Sequence, residues 1–181
     1  MKKHNKVIIE QLPTGVPGLD RILGGGLPEF SFNIIAGSPG CGKTTLAHQI
    51  AFANATVERP ALYFTILGEP ALKMLRYQQQ YDFYDPGKVG SAIRFVNLSK
   101  VVLEGDWNAV LDTIVKEVEA VNPAIVVVDS FRSMARKFDQ RTGETELQDL
   151  VQRLAMHLTN WQATTFLIGE YVEAELRSDP V

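Results

Sequence analysis

Phe32-Asn33-Ile34-Ile35-Ala36-Gly37-Ser38-Pro39-Gly40-Cys41-Gly42-Lys43-Thr44-Thr45-Leu46 is the stretch that decides the fold of this 181-residue chain. Phe32–Ala36 is a short apolar run that suits a buried strand, and Leu46, Ile50 and Ala53 then recur at helical spacing. Between them, Gly37 to Thr44 fits the pattern G-x-x-x-x-G-K-[ST]. Glycines let the backbone curl until successive N–H groups point at phosphate oxygens, and the following helix adds the positive end of its dipole. Lys43 has the reach for β- and γ-phosphates, the Thr44 hydroxyl can ligate Mg²⁺, and Thr45 can bond the α-phosphate. A random chain of this length carries the pattern roughly once in two hundred times, with glycine near 7% of residues. The strand before it and the helix after it therefore decide the reading. ATP with Mg²⁺ is the expected ligand, held by Gly37, Ser38, Pro39, Gly40, Cys41, Gly42, Lys43, Thr44 and Thr45. Cys41 reads as a small residue suited to a tight turn rather than as a reactive thiol.

Composition sets the outer limits. Hydrophobic residues make up 45% and charged residues 22%, ordinary for a globular chain able to bury a core. A net charge of −3 gives no bulk reason to expect nucleic acid or an anionic membrane. One cysteine allows no internal disulfide and points to a reducing compartment. The basic start, Met1 to Lys3, is not followed by a long apolar stretch, and no run approaches the ~20 residues that span a bilayer. A cytoplasmic protein is expected.

Outward from the loop, strand and helix signals alternate. Residues 13–28 are rich in Gly and Pro around a short apolar turn, Val16 to Leu23, stopped by Gly24-Gly25-Gly26. Ala61–Ile66 and Ile93–Leu98 read as strands, and Pro70 can open a helix running to about Tyr81. Trp107, Val110, Leu111, Ile114, Val118 and Val121 form one helical face, ended by Asn122-Pro123. Ile125–Val128 is dense in β-branched residues and suits a strand buried on both faces. Arg132–Glu146 reads as a charged loop, Leu147 to Leu158 as an amphipathic helix, and Thr164–Ile168 as a last strand. This alternation predicts an α/β fold, a parallel sheet covered on both sides, in a single domain with residues 1–28 as a lead-in.

Asp129 ends the Ile125–Val128 strand, about 85 residues after Lys43. Beside the loop it would hold Mg²⁺ through a water or near Thr44. Ser130 reads equally as a γ-phosphate sensor or as simple turn chemistry. Hydrolysis needs a residue to orient or deprotonate water; Glu69, just past the Ala61–Ile66 strand, is the candidate. Glu170 falls just past the last strand and could sense the nucleotide from the same edge.

Thr14-Gly15-Val16-Pro17-Gly18-Leu19-Asp20, then Leu23-Gly24-Gly25-Gly26-Leu27-Pro28, then the phosphate loop, resembles the KaiC-like branch of RecA-fold ATPases. The resemblance continues through Val127-Val128-Asp129-Ser130 and Ala163-Thr164-Thr165 to Glu170. It implies a three-layer RecA-like P-loop fold with a mostly parallel central sheet, ATP as ligand, and a hexameric ring with nucleotide between subunits. KaiC-like proteins often carry two adjacent glutamates after the second strand; here those positions are Leu67-Gly68, with Glu69 one step later. The family also continues into further strands carrying cations for a neighbour's nucleotide and, in KaiC itself, self-phosphorylated hydroxyls. The sheet is accordingly expected to be shortened at its C-terminal edge, and ATP hydrolysis to be slow.

The leading expectation is an ATPase serving as a nucleotide-driven signalling module, with ATP, further copies of the chain and a regulatory protein as partners. A DNA-acting recombinase or helicase relative is the alternative. Arg132, Arg136, Lys137 and Arg141 favour it, and Glu170, Glu173 and Glu175 oppose it, so nucleic acid is not expected as a partner. A small-molecule kinase lacks an arginine-rich lid segment here, and a non-hydrolysing nucleotide switch stays open.

Overall fold

The computed structural model describes residues 9–66, 71–104, 106–131, 152–157 and 162–171. Among these residues five strands form one parallel sheet: β3 (Phe32–Gly37), β4 (Ala61–Thr65), β5 (Ile93–Asn97), β6 (Ile125–Asp129) and β7 (Thr164–Glu170), in the order β3-β7-β6-β4-β5. Ahead of them, β1 (Gln11–Leu12) and β2 (Leu27–Pro28) pair antiparallel, with helix α1 (Pro17–Ile22) between them. Among the described residues the α-helices that follow are α2 (Lys43–Asn54), α3 (Ala71–Gln78), α4 (Ser99–Glu104), α5 (Trp107–Val121) and a helical stretch at 152–157.

The central strands are buried on both faces, as their unbroken apolar composition requires. On one face Leu62, Phe64, Val126 and Val128 pack with Val110, Leu111, Ile114 and Val118 of α5 and with Leu154. On the other, Tyr63, Val127, Phe166 and Ile168 pack with Ala47, Ile50, Ala51 and Phe52 of α2. This is the expected three-layer α/β architecture. The alanines of α2 keep that helix close to the strands, which fixes where its first turn points.

Local chemistry sets the bounds of α5. Asp106 caps α5, accepting from the Asn108 N–H at 2.9 Å, and Asn122 ends the helix in the left-handed region at φ 48°. Several expectations shift. The 13–28 segment is not a bare turn but contains α1 and β2, which pairs with β1 just before it. Thr14, buried, donates from its hydroxyl to Asp20 at 2.6 Å and tethers that segment. The strand from Ala61 stops at Thr65, that from Ile93 at Asn97, and α3 ends at Gln78 rather than near Tyr81. The last strand runs on to Glu170, so that residue lies in the sheet, paired in register with Gly37, and not beyond it. Arg132–Glu146 lies outside the described residues, and of the helix expected over 147–158 the described part, 152–157, is helical. Among the described residues no helix is long and apolar enough to cross a membrane.

Candidate functional site: the phosphate loop and the end of β6

Because the five strands are parallel, Gly37, Asp129 and Glu170 all reach the same edge of the sheet. In open α/β sheets this carboxyl-end edge is where ligands bind. A cleft of about 230 Å³ opens there, lined by Gly40, Gly42, Lys43, Thr44, Thr45, Asp129, Ser130, Ile168 and Glu170. Gly37, Ser38, Pro39 and Cys41 belong to the same loop but are not among the cleft-lining residues.

Helix α2 starts at Lys43 with no side-chain cap and no acidic residue in its first turn. Its leading N–H groups and positive dipole end therefore face the cleft without an internal counter-charge. Gly42, at the N-cap, has φ 91°, a conformation that costs a residue with a Cβ about 1–2 kcal/mol. The Lys43 ammonium, largely buried, folds back onto its own loop, donating to the carbonyls of Ser38 at 2.8 Å and Gly37 at 3.0 Å. The Cys41 sulfur lies 3.8 Å from the same Nζ, and it lies where a Cβ on Gly37 would stand 2.7 Å away.

The Thr44 hydroxyl donates to Asp129 Oδ2 at 2.7 Å, joining two segments 85 residues apart. The hydroxyl of Tyr63, a fully buried residue in the middle of β4, donates to the same oxygen at 2.9 Å. Burial pushes the Asp129 carboxyl up from the ordinary aspartate range; the two hydroxyls and Lys43 oppose that, and Glu170 adds to it. Burial, with the Asp129 charge, holds the Tyr63 phenol protonated. His48, one turn into α2, lies flat against the Tyr63 ring, with centroids 4.5 Å apart and planes 4° apart. Its Nδ1 is 2.9 Å from the Thr44 carbonyl, so Nδ1 carries the proton and donates it, and burial lowers the imidazole pKa to about 4.

A divalent cation fits these residues. A buried carboxylate and a hydroxyl able to ligate a metal meet on the cleft wall, beside a second carboxylate at Glu170. Among the described residues no cluster of three or more His, Cys, Asp or Glu side chains forms. A cation here would depend on ligand oxygens to complete its shell, which is how Mg²⁺ is commonly held beside phosphates.

The structure thus brings together Lys43, Thr44, Thr45, Asp129, Ser130 and Glu170. Glu69 lies outside the described residues. Sequence reasoning missed Tyr63 and His48. A tyrosine between Leu62 and Phe64 in a buried strand signals a phenol in need of a buried partner, and His48 sits one helical turn after Thr44.

A family model described as "ATPase: KaiC" matches residues 12–179. The DNA repair protein RadA of Mycobacterium tuberculosis is 36% identical over 123 residues, covering 68% of this chain and 23% of that protein. An UPF0273 protein of Thermotoga maritima is 36% identical over 63 residues, 35% of this chain and 26% of that protein. The chain spans about a quarter of the length of these curated relatives. A crystal structure of a KaiC-like protein from Pyrococcus horikoshii superposes with a TM-score of 0.70 at 26% identity, covering 91% of this chain and 73% of that one. With a P-loop opening α2, a five-stranded parallel sheet and a family match over nearly its whole length, the chain belongs to the KaiC family of RecA-fold ATPases.

Proposed function

We propose that the chain binds ATP with Mg²⁺ in the cleft at the end of β3 and β6, hydrolyses it slowly, and uses the nucleotide state as a signal. The observation that carries this reading is the 2.7 Å bond from Thr44 to Asp129 beside the uncapped start of α2. The loop N–H groups from Gly37 to Thr45 receive the phosphates. Lys43 leaves the carbonyls of Gly37 and Ser38 for the β- and γ-phosphate oxygens, exchanging two neutral acceptors for charged ones. Thr45 takes the α-phosphate. Thr44 and Asp129 would hold Mg²⁺, which would supply positive charge to offset that of the phosphates. The Thr44 hydroxyl donates to Asp129 and still has acceptor capacity of its own. Glu69 orients the attacking water. The nucleotide state is read out by the segments after β4 and β6, within one domain that self-associates and docks a regulatory protein.

The test is ATP affinity and phosphate release for the wild type and for Lys43→Ala. Wild-type binding that falls by at least tenfold in the variant, with the melting temperature of the free protein kept, supports the reading. Equal values remove it. Loss of release with retained binding in Glu69→Gln assigns the water to Glu69; unchanged release withdraws that role.

A DNA-acting motor is the second reading, favoured by the 36% identity to a DNA repair protein. The net charge of −3 and Glu170 at the cleft argue against it. Binding to single- or double-stranded DNA that weakens steeply with salt would select it over a signalling role.

A further inference from the structure

Four contacts close a circuit around the metal-holding pair. The Thr44 carbonyl accepts from His48 Nδ1 at 2.9 Å, and the His48 ring stacks on Tyr63 at 4.5 Å. The Tyr63 hydroxyl donates to Asp129 Oδ2 at 2.9 Å, and the Thr44 hydroxyl donates to that oxygen at 2.7 Å. Helix α2, strand β4 and strand β6 are therefore tied to one carboxylate oxygen.

The two donors differ in freedom. The Thr44 hydroxyl lines the cleft and must also serve the cation. The Tyr63 phenol lies in the core with no exposed surface, its ring held by His48 on one side and tilted against Phe95 at 5.3 Å. It has no route to the ligand. It gives Asp129 one donor that stays in place whatever Thr44 does.

We infer that Tyr63 is a positioning residue for the divalent cation, fixing the Asp129 carboxylate through its hydroxyl, and that His48 holds the Tyr63 ring in the pose this requires. The inference rests on the reading of the cleft as an ATP and Mg²⁺ site. A core phenol kept only for packing would make no difference between metal-free and metal-bound nucleotide. Hydrogen bonds that orient a metal-binding carboxylate typically change metal affinity by about 10–100-fold when removed.

The experiment titrates ATP by calorimetry into the wild type, Tyr63→Phe and His48→Phe, in excess EDTA and across a Mg²⁺ series. Tyr63→Phe keeps the ring and removes one oxygen. Its ATP affinity in EDTA is expected to stay within about twofold of wild type. Its Mg²⁺ midpoint for tightening ATP binding is expected to rise by about tenfold or more. His48→Phe keeps a flat ring but loses the bond to Thr44, and its midpoint is expected to rise in the same direction by less. An unchanged midpoint in Tyr63→Phe overturns the inference. So does a folded Tyr63→Phe chain whose ATP affinity falls equally in EDTA and in Mg²⁺, because the hydroxyl then supports the loop rather than the metal. If Tyr63→Phe does not fold, His48→Phe decides: a raised midpoint with EDTA affinity kept supports the inference, and no rise overturns it. A wild type that binds no ATP in either condition defeats the reading of the cleft itself, and is told apart by that control.

Discussion

Gly37→Ala is expected to weaken ATP binding because of Cys41, and removing the sulfur is expected to restore it. A Cβ on Gly37 would lie 2.7 Å from the Cys41 sulfur and 3.9 Å from Lys43 Cδ. The second distance is ordinary contact; the first is about 1 Å inside the ~3.5–4.0 Å at which such atoms pack. Overpacking of this kind costs about 1–3 kcal/mol. Cys41 is exposed, so its sulfur can swing outward, which places the cost in the lower half of that range. In the free loop the clash is relieved by displacing Cys41 and the backbone around it, and ATP binding must restore the original curl, so the cost falls on binding: about 1–2 kcal/mol corresponds to roughly 5–30-fold in affinity. Gly42 provides the contrast. Its added Cβ would meet nothing within 4 Å, but its φ of +91° penalises any side chain. The assay is calorimetric ATP binding to Gly37→Ala, Cys41→Ala, the double variant, Gly42→Ala and Gly42→Ala with Cys41→Ala. Cys41→Ala alone should bind like wild type. The Gly37→Ala, Cys41→Ala double variant should return to within about twofold, whereas Cys41→Ala should not rescue Gly42→Ala. A Gly37→Ala, Cys41→Ala chain as weak as Gly37→Ala would refute the steric account.

His48 is neutral when folded, with its pKa lowered from 6.5 to about 4. Its contribution is complete above pH 6.5 and is lost as pH falls through 6.5 towards 4, a drop of about 3 kcal/mol; His48→Phe should flatten that part of a urea-melt series, and an unchanged slope would show that other groups carry it. Asp129 has the opposite sign: its raised pKa means folding favours the protonated form, so its cost appears as pH rises through the folded value. Asp129→Asn should therefore melt higher than wild type at pH 7 without ligand, yet lose the extra stabilisation given by MgATP; a lower ligand-free melting temperature would contradict the burial argument. Thr14→Val removes the hydroxyl that holds Asp20 at 2.6 Å, and should speed proteolysis within residues 9–28 while leaving the sheet protected; equal cleavage rates would show that the tether is dispensable.

Much of this architecture was legible because single segments encode it. Ile125–Val128 announces a two-sided strand by β-branching alone, and α5 carries its stop in Asn122-Pro123. The phosphate loop is legible because its chemistry demands fixed residues at fixed spacing. What stayed hidden depends on partners far along the chain. β1 and β2 are two residues each, too short for any period, and exist because Gly24-Gly25-Gly26 lets Leu27 return to Leu12. Helix α4 has six residues and a single buried side chain, Val102, so no apolar stripe reveals it. Tyr63 and His48 are both fully buried, and their link to Asp129 exists only once α2, β4 and β6 are brought together. The length of β7 was misjudged because Gly169 and Glu170 are poor strand formers, held in the ladder by pairing with Ala36 and Gly37.

The position of β7 between β3 and β6 has a consequence for biosynthesis. β3, which delivers the phosphate loop, pairs with β7 among the described strands, and Asn33 meets Thr165 from 132 residues away. At about 5–20 residues per second, a ribosome needs roughly 7–26 s between making the two strands. Throughout that interval the loop's own strand waits without its neighbour, and nucleotide has no completed cradle to enter. The capacity to hold ATP is therefore expected to arrive late and abruptly as the nascent chain lengthens.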